Sequence, residues 1–464
     1  MTSMFRSGGW LLVLLLLAPS ASAQEGDGGE ADEAGDEAAD AVDPERTGSF
    51  ITIVGGSDSA MPLALPDFKI DGGFDRPAAE VLRGVVARDL ELSGYFELMD
   101  RAAFIEPIGA GVKPGEFSYE NWRLPGATAL VKAQVAQVGD DLDVALHIYN
   151  VEAGSEIAAR TLKGLPTELA PLGHAIANAV IEALTGERGI FHTRIVAIAN
   201  FGKGKEVYLF DYDGQNARPV SRNGSINLSP AWSPDGTRIS YTSYRDNNPD
   251  LWITDLRTNR HSKVSSFPGI NAGAEWSPDG NELALTLSKD GDSEIYAIQP
   301  DGSIIRRLTR QYGIDVSPTY SPDGQTMCFV SSRNGTPQLF LADRDGTNVR
   351  RLTRRGGHNV APAFSPDGRT IAFAGRDEGR FDIFVVGVDG GGLKRLTQTQ
   401  FDDEDPTWSP DGNHILFTSA RDGRGKQLYL MTADGSNQTR LTDGTGSYSN
   451  PQWGPDPLGP RSFE

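Results

Sequence analysis

One tetrapeptide constrains this chain more than any other feature. Ser-Pro-Asp-Gly recurs at 233–236, 277–280, 321–324, 365–368 and 409–412, so that Asp235, Asp279, Asp323, Asp367 and Asp411 stand 44 residues apart. A degenerate sixth copy, Gly454-Pro455-Asp456-Pro457, follows 45 residues on. A second marker keeps step with the first. Asp-Gly begins at Asp213, Asp301, Asp345, Asp389 and Asp434, and Leu-Thr at Leu308, Leu352, Leu396 and Leu441. A period of about 40–50 residues, with four strand signals in each, means the blades of a β-propeller.

One period shows the logic. Ala231-Trp232 ends an inner strand, and Pro234-Asp235 sits at the centre of a tight turn. Proline pre-sets φ at the second turn position and glycine completes the turn. The next strand, 238–242, alternates through Ile239 and Tyr241; a third covers 251–254, and an edge strand lies around 263–265. Equivalent third strands fall at 295–298, 339–341, 383–386 and 428–431. The segment 193–221 offers three strands (194–199, 206–210 and 218–221) with no Ser-Pro-Asp-Gly turn before them. The segment 448–453 offers one inner strand with no blade after it. Together they make one blade. The expectation is a six-bladed ring over 191–464 whose first blade is completed by the C-terminal strand, which removes the open edges that invite aggregation.

Upstream, 47–190 reads as a small α/β domain, so the fold class is multidomain. Strand signals lie at Phe50-Ile51-Thr52-Ile53-Val54 and over 62–68. Residues 76–92 carry Ala79, Leu82, Val86 and Leu90 at helical spacing, with Gly94 as a stop. A short strand follows at 95–99. Three alternating runs, 129–138, 142–151 and 157–162, come next, the first two joined through Gly139-Asp140-Asp141. A second amphipathic helix, 169–184, stops near Gly186.

Residues 1–23 read as a secretory signal: Arg6 supplies the positive charge, 10–18 the short apolar run, and Ala21-Ser22-Ala23 the cleavage site. The apolar run is far short of the roughly 20 residues that span a bilayer. Residues 24–46 hold ten acidic residues against Arg46 in an Ala/Gly background, too little apolar surface to offset chain entropy, and read as a disordered acidic linker. The formal net charge of −20 argues against nucleic acid and anionic lipid as partners. Cys328 is the one cysteine, so no intramolecular disulfide is available. It lies in an apolar strand and reads as a buried thiol.

No catalytic constellation is evident. There is no G-x-S-x-G elbow and no phosphate-binding loop. The six histidines, at 147, 174, 192, 261, 358 and 414, share no metal-ligand spacing. Five near-equivalent tetrapeptides do not suit a single active site. The loops are more informative. Those leading into the inner strands (269–273, 313–317, 357–361, 401–405 and 446–450) and those joining second and third strands share one face and vary in sequence, whereas the turns of the opposite face are nearly uniform. Varied loops on a rigid scaffold are where function sits. Asp402-Asp403-Glu404-Asp405 gathers carboxylates at a mouth of the channel. It reads first as a solvated acidic loop and second as a cation site, calcium being the candidate ion.

Several stretches resemble the TolB family, the periplasmic propellers of the Tol-Pal system. They are Tyr212-Asp213-Gly214, the run Leu228-Ser229-Pro230-Ala231-Trp232-Ser233-Pro234-Asp235-Gly236, Phe191-His192-Thr193-Arg194-Ile195 and Leu184-Thr185-Gly186. Asp89-Leu90, Ser93-Gly94 and Asp100-Arg101 match the family's N-terminal domain, and the resemblance covers about 47–456. It implies a periplasmic, non-enzymatic docking protein, monomeric and without direct membrane insertion, supporting outer-membrane integrity and cell division. It implies that a Pal-like peptidoglycan-associated lipoprotein binds the varied face. The implied positions are Gly269, Ile270, Asn271, Ala272, Gly273, Asp315, Val316, Ser317, His358, Asn359, Val360, Asp403, Glu404, Tyr448 and Ser449. It implies that a TolA-like inner-membrane-anchored protein binds Phe50, Ile51, Thr52, Ile53 and Val54, an extended segment suited to pairing with a sheet edge. The family's mature chain usually begins near that strand, whereas here the acidic stretch precedes it. The alternative from a different class is a propeller hydrolase or carbohydrate-binding protein that uses the central channel.

Overall fold

The computed structural model describes residues 60–457 apart from 107–109, 203 and 378. The signal segment with Ala21 and Ala23, the acidic stretch 24–46 and the strand signal at Phe50 to Val54 lie outside the described residues.

The N-terminal α/β part is built on one sheet. Its strands are β1 (Met61–Ala64), β2 (Lys69–Asp71), β3 (Phe96–Leu98), β4 (Ala129–Val138), β5 (Asp141–Asn150) and β6 (Ser155–Gly164). The order is β3-β1-β4-β5-β6, with β2 also on β4. Of the single strand expected over 62–68 only the first part is strand, within β1; residues 65–68 form a break before β2. Pro66 lies in the break, and proline has no N–H to give a ladder. Two helices complete the layer. α1 (Arg76–Leu92) starts at Asp75, whose carboxylate accepts from Ala78 N at 3.3 Å. α2 (Leu169–Thr185) ends at Gly186 in the left-handed conformation, φ 76°. They approach closely at Gly173, where a Cβ would lie 2.6 Å from Val85 Cγ1.

The propeller has six four-stranded antiparallel sheets. From inner to outer strand, blade 1 is Ser447–Trp453, Arg194–Asn200, Glu206–Asp211 and Arg218–Pro219. Blade 2 runs from Asn227–Trp232 to Arg260–Ser265, and blade 3 from Asn271–Trp276 to Ile304–Arg307. Blade 4 runs from Asp315–Tyr320 to Arg350–Arg351, blade 5 from His358–Phe364 to Lys394–Arg395, and blade 6 from Asp403–Trp408 to Thr439–Arg440. The C-terminal strand therefore closes the ring, in register from Ser447 opposite Asn200 to Trp453 opposite Ile195. Trp453 Nε1 donates to Thr193 Oγ1 at 2.8 Å and fastens its end. Apolar clusters fill the spaces between blades. Ala231, Leu251 and Ile253 of blade 2 pack with Trp276, Leu285 and Tyr296 of blade 3. Cys328 is fully buried in blade 4, and burial pushes its thiol pKa well up.

Both sequence markers have physical causes. In the tetrapeptide, Ser233 Oγ donates to Asp235 Oδ1 at 2.5 Å and accepts from Arg238 N at 2.9 Å, and Asp235 Oδ1 accepts from Thr237 N. The same bonds recur in the other copies, for example at Ser321 and Asp323. Each motif glycine also faces the motif proline of the preceding blade. A Cβ on Gly236 would meet Pro455 at 3.4 Å, and one on Gly368 would meet Pro322 at 3.4 Å. The Asp-Gly and Leu-Thr markers are two halves of another joint. A Cβ on Gly346 of blade 4 would lie 2.1 Å from the carbonyl of Leu308, which ends blade 3. The threonine after each leucine ties the edge strand back: Thr309 Oγ1 accepts from Ile295 N, and Thr353 Oγ1 from Leu339 N, both at 2.9 Å.

The degenerate turn marks the seam between blades 6 and 1. Pro457 stands where the motif has glycine, and the α/β part takes over the fastening there. Asp456 holds His192 Nε2 at 2.8 Å, and His192 Nδ1 accepts from Asn178 of α2 at 3.0 Å. On blade 6, His414 Nε2 donates to Ser93 O at 3.1 Å and Asn413 Nδ2 to Tyr95 Oη at 2.9 Å. Beside them Asp89 of α1, fully buried, accepts from Tyr212 Oη and faces His174 Nδ1, each at 2.7 Å.

Candidate functional site

Antiparallel blades place the tetrapeptide turns and the turns between third and fourth strands on one face of the ring. The loops between second and third strands and the loops from blade to blade lie on the other. The first face is occupied by the fixed joints described above. The second, the loop face, is where the sequence varies.

At this end of the channel each inner strand carries a β-bulge. The register shifts at six equivalent places, for example between Leu228 and Ala231 and between Ser449 and Gln452. One residue in each bulge is left-handed: Ser229 (φ 47°), Gly273 (62°), Ser317 (52°), Ala361 (52°), Asp405 (56°) and Asn450 (48°). Five of the six are not glycine, and a left-handed non-glycine residue costs roughly 1–2 kcal/mol. Near the seam, bonds between blades offset that cost. Asp405 Oδ2 accepts from Asn450 N at 2.8 Å, and Asn450 Oδ1 from Ser229 N at 3.5 Å. Gln452 of blade 1 accepts from Trp232 N of blade 2 at 2.5 Å and donates to the Glu275 carboxylate of blade 3 at 3.2 Å. Burial pushes the Glu275 carboxyl up to about 8, against the hydrogen bond from Gln452.

The positions implied for a Pal-like partner divide into two sets. Asn271, Asp315, Asn359 and Asp403 are buried near the starts of their inner strands and hold the loops in front of them. Asn271 Nδ2 donates to Phe267 O at 2.7 Å, Asn359 Nδ2 to Arg355 O at 2.8 Å, and Asp315 and Asp403 receive Arg333 and Arg421. Val316, Val360 and Tyr448 are buried as well, and Glu404 is buried against Lys426. Gly269, Ile270, Ala272, Gly273, Ser317, His358 and Ser449 are exposed or half-buried and form the part of this set that a partner can touch. Phe50 to Val54 lie outside the described residues.

The carboxylates of 402–405 do not converge. Asp402 accepts from Phe381 N, Asp403 from Arg421, Glu404 from Lys426 and Asp405 from Asn450 N. Burial holds the Lys426 ammonium down to about 8. Among the described residues no group of three or more His, Cys, Asp or Glu is arranged to hold a metal. The buried pair Asp89–His174 resembles part of a hydrolytic triad. Its third partner, however, is Tyr212, and the cluster is sealed at the junction with blade 1.

Sequence reasoning missed the exposed cations and aromatics of this face. Arg222, Arg310, Arg354, Arg355 and Arg424 are exposed, as are Tyr312 at 87%, Phe201 at 45% and Phe401 at 42%. A signal was present. Arg222, Arg310 and Arg354 occupy one repeat position, directly after the Ser221, Thr309 and Thr353 that tie back their edge strands.

Comparison with known proteins fits this geometry. Residues 181–456 match the family described as the TolB beta propeller domain, and residues 49–157 the one described as the TolB amino-terminal domain. The chain is 41% identical over 208 residues to the Tol-Pal system protein TolB of Desulfosudis oleivorans, covering 44% of this chain and 48% of that one. It is 44% identical over 169 residues to the protein of the same name from Geobacter sulfurreducens, covering 36% and 38%. The chain thus spans about half or less of the length of these curated relatives. The crystal structure of TolB from Acinetobacter baumannii superposes with a TM-score of 0.76 at 29% identity, covering 86% of this chain and 97% of that one.

Proposed function

The chain belongs to the TolB family, and from that premise we propose that it is a docking component of a Tol-Pal system rather than an enzyme. In this reading it works in the periplasm and supports outer-membrane integrity and cell division. It binds a Pal-like lipoprotein on the loop face, around Gly269, Ile270, Ser317, His358 and Ser449, and a TolA-like protein through Phe50 to Val54. The observation that carries the reading is the contrast between the two faces. One is spent on repeated joints between blades and on the α/β part, and the other presents varied, exposed side chains on a rigid rim. The rival reading, chemistry or sugar binding in the channel, draws less support, because the carboxylates at its mouth are engaged one by one with neighbouring residues.

The test is calorimetric titration of the full chain with the soluble domain of the Pal-like lipoprotein encoded in the same genome, with calcium and with a chelator. Saturable one-to-one binding in either condition is expected. No binding in both would remove the reading.

A further inference from the structure

A chain with a formal charge of −20 has little reason to display unpaired cations, yet two consecutive loops of the loop face display three of them. The loop into blade 4 carries Arg310 and Tyr312, and the loop into blade 5 carries Arg354 and Arg355; all four are exposed. The side chains of the three arginines make no hydrogen bond or ion pair among the described residues. Several other cations of this face are engaged, Arg333 with Asp315, Arg421 with Asp403, Lys289 with Asp290 and Lys426 with Glu404, while exposed Arg222 and Arg424 stand singly on loops of other blades. Blades 4 and 5 are consecutive in the ring, so the two loops are neighbours. Their backbones are fixed where they leave the edge strands, because Thr309 and Thr353 are bonded back to the third strands. Asp292, a nearby acid, is turned to the loop backbone and accepts from Gly313 N at 3.4 Å.

Resting on the docking reading above, we propose that Arg310, Tyr312, Arg354 and Arg355 form the charge-reading quadrant of that face and take a carboxylate-bearing protein surface. Guanidinium is the side chain whose planar fork matches a carboxylate with two parallel hydrogen bonds. Arginine and tyrosine are also the residues that dominate binding energy at protein interfaces. Tyr312 offers a large amphipathic ring beside the cations, so the partner presents an apolar group next to its acids. The rest of this acidic molecule repels an acidic partner. A local cationic quadrant therefore sets the orientation of approach and makes the association rate depend on salt. An anionic bilayer is the weaker match, because it would meet the whole negative body and not one quadrant.

The experiment titrates the full chain with the soluble domain of the Pal-like lipoprotein from the same genome, at 50 and 300 mM NaCl. The wild type is compared with the double variant Arg310→Glu, Arg354→Glu, and with Arg257→Glu as an exposed control on the opposite face. Circular dichroism checks that all three are folded. The expected result is a roughly tenfold loss of affinity at the higher salt, a loss on the order of a hundredfold or more in the double variant, and no change in the control. Wild-type affinity that survives both high salt and the double reversal overturns the charge-reading role while leaving the docking reading intact. Failure of the wild type to bind at either salt, with calcium and with a chelator alike, removes the docking reading, and this one with it. Co-sedimentation of the wild type, but not the double variant, with phosphatidylglycerol vesicles assigns the quadrant to lipid and overturns the proposal.

Discussion

Arg88 and Asp213 are joined across the junction between the α/β part and the propeller by one hydrogen bond and one ion pair. Arg88 Nη2 donates to the Asp213 carbonyl at 3.0 Å, and Nε lies 3.3 Å from Asp213 Oδ2. The same guanidinium reaches the carbonyl of Leu441 in blade 6 at 3.5 Å. One side chain thus touches both blades that flank the seam of the ring.

Arg88→Ala should therefore loosen the seam as well as the junction. Hydrogen bonds to a charged group contribute about 1.5–3 kcal/mol each, and the Asp213 side chain is only 7% exposed, so a loss of roughly 2–3 kcal/mol is expected. Thermal melting should show it as a lower Tm. Arg76→Ala, an exposed position in the first turn of the same helix, should change Tm little.

The Asp89–His174 pair makes the junction sensitive to pH. Burial alone would push the imidazole down, but the Asp89 carboxylate bonded to it more than offsets this and holds His174 above its ordinary range. A histidine raised in the folded state gives stability that is fully present below its unfolded pKa, about 6.5, and lost as pH rises through the folded value. Tm should fall from pH 6.5 upward, and His174→Gln should flatten that part of the profile. An unchanged slope in the variant would refute the assignment.

Glu275 acts with the same sign over a lower window. Its carboxyl is pushed up to about 8, so the folded chain holds a proton that the unfolded chain has released. Stability should decline as pH rises from about 4.3 to about 8. Glu275→Gln keeps an oxygen to accept from Gln452 and has no proton to lose, so its Tm at pH 8 should exceed that of the wild type. Equal Tm at pH 8 would count against it.

Glycines at one repeat position should differ in cost. Gly346 and Gly390 have nearly the same φ, 87° and 91°. A Cβ on Gly346 would lie 2.1 Å from Leu308 O, however, whereas one on Gly390 meets only Leu352 O at 3.8 Å. Both alanine variants carry the conformational penalty of roughly 1–2 kcal/mol. Only Gly346→Ala must also push two blades apart, so it should melt well below Gly390→Ala. Equal losses would show that the joint yields.

The architecture was legible because its information is local. A Pro-Asp-Gly turn, a strand that alternates through Ile239 and Tyr241, and a period of 44 residues can be counted without knowing what touches what. Ring closure followed from counting strands at the two ends. The seam's fastening was not legible: Asn413 and Tyr95 are 318 residues apart, and no short pattern links them. The loop face was half legible. Its position followed from variability, but Asn271 and Asp315, named from the loops, are buried supports. The exposure of Arg310 and Arg354 depends on which neighbouring acids are already taken, as Asp315 is by Arg333.

Ring closure by the C-terminal strand gives this molecule a birth order. Thr193 and Trp453, bonded in the finished blade, are made 260 residues apart. In the exported chain proposed above, which emerges N-terminus first, the strand Arg194–Asn200 must wait for its inner partner Ser447–Trp453. During that interval Val196 and Ile198 lie beside an unpaired edge, the kind of surface that recruits other chains. A chaperone that meets the emerging chain would have its clearest task here, and its release would be timed by the last strand rather than the first.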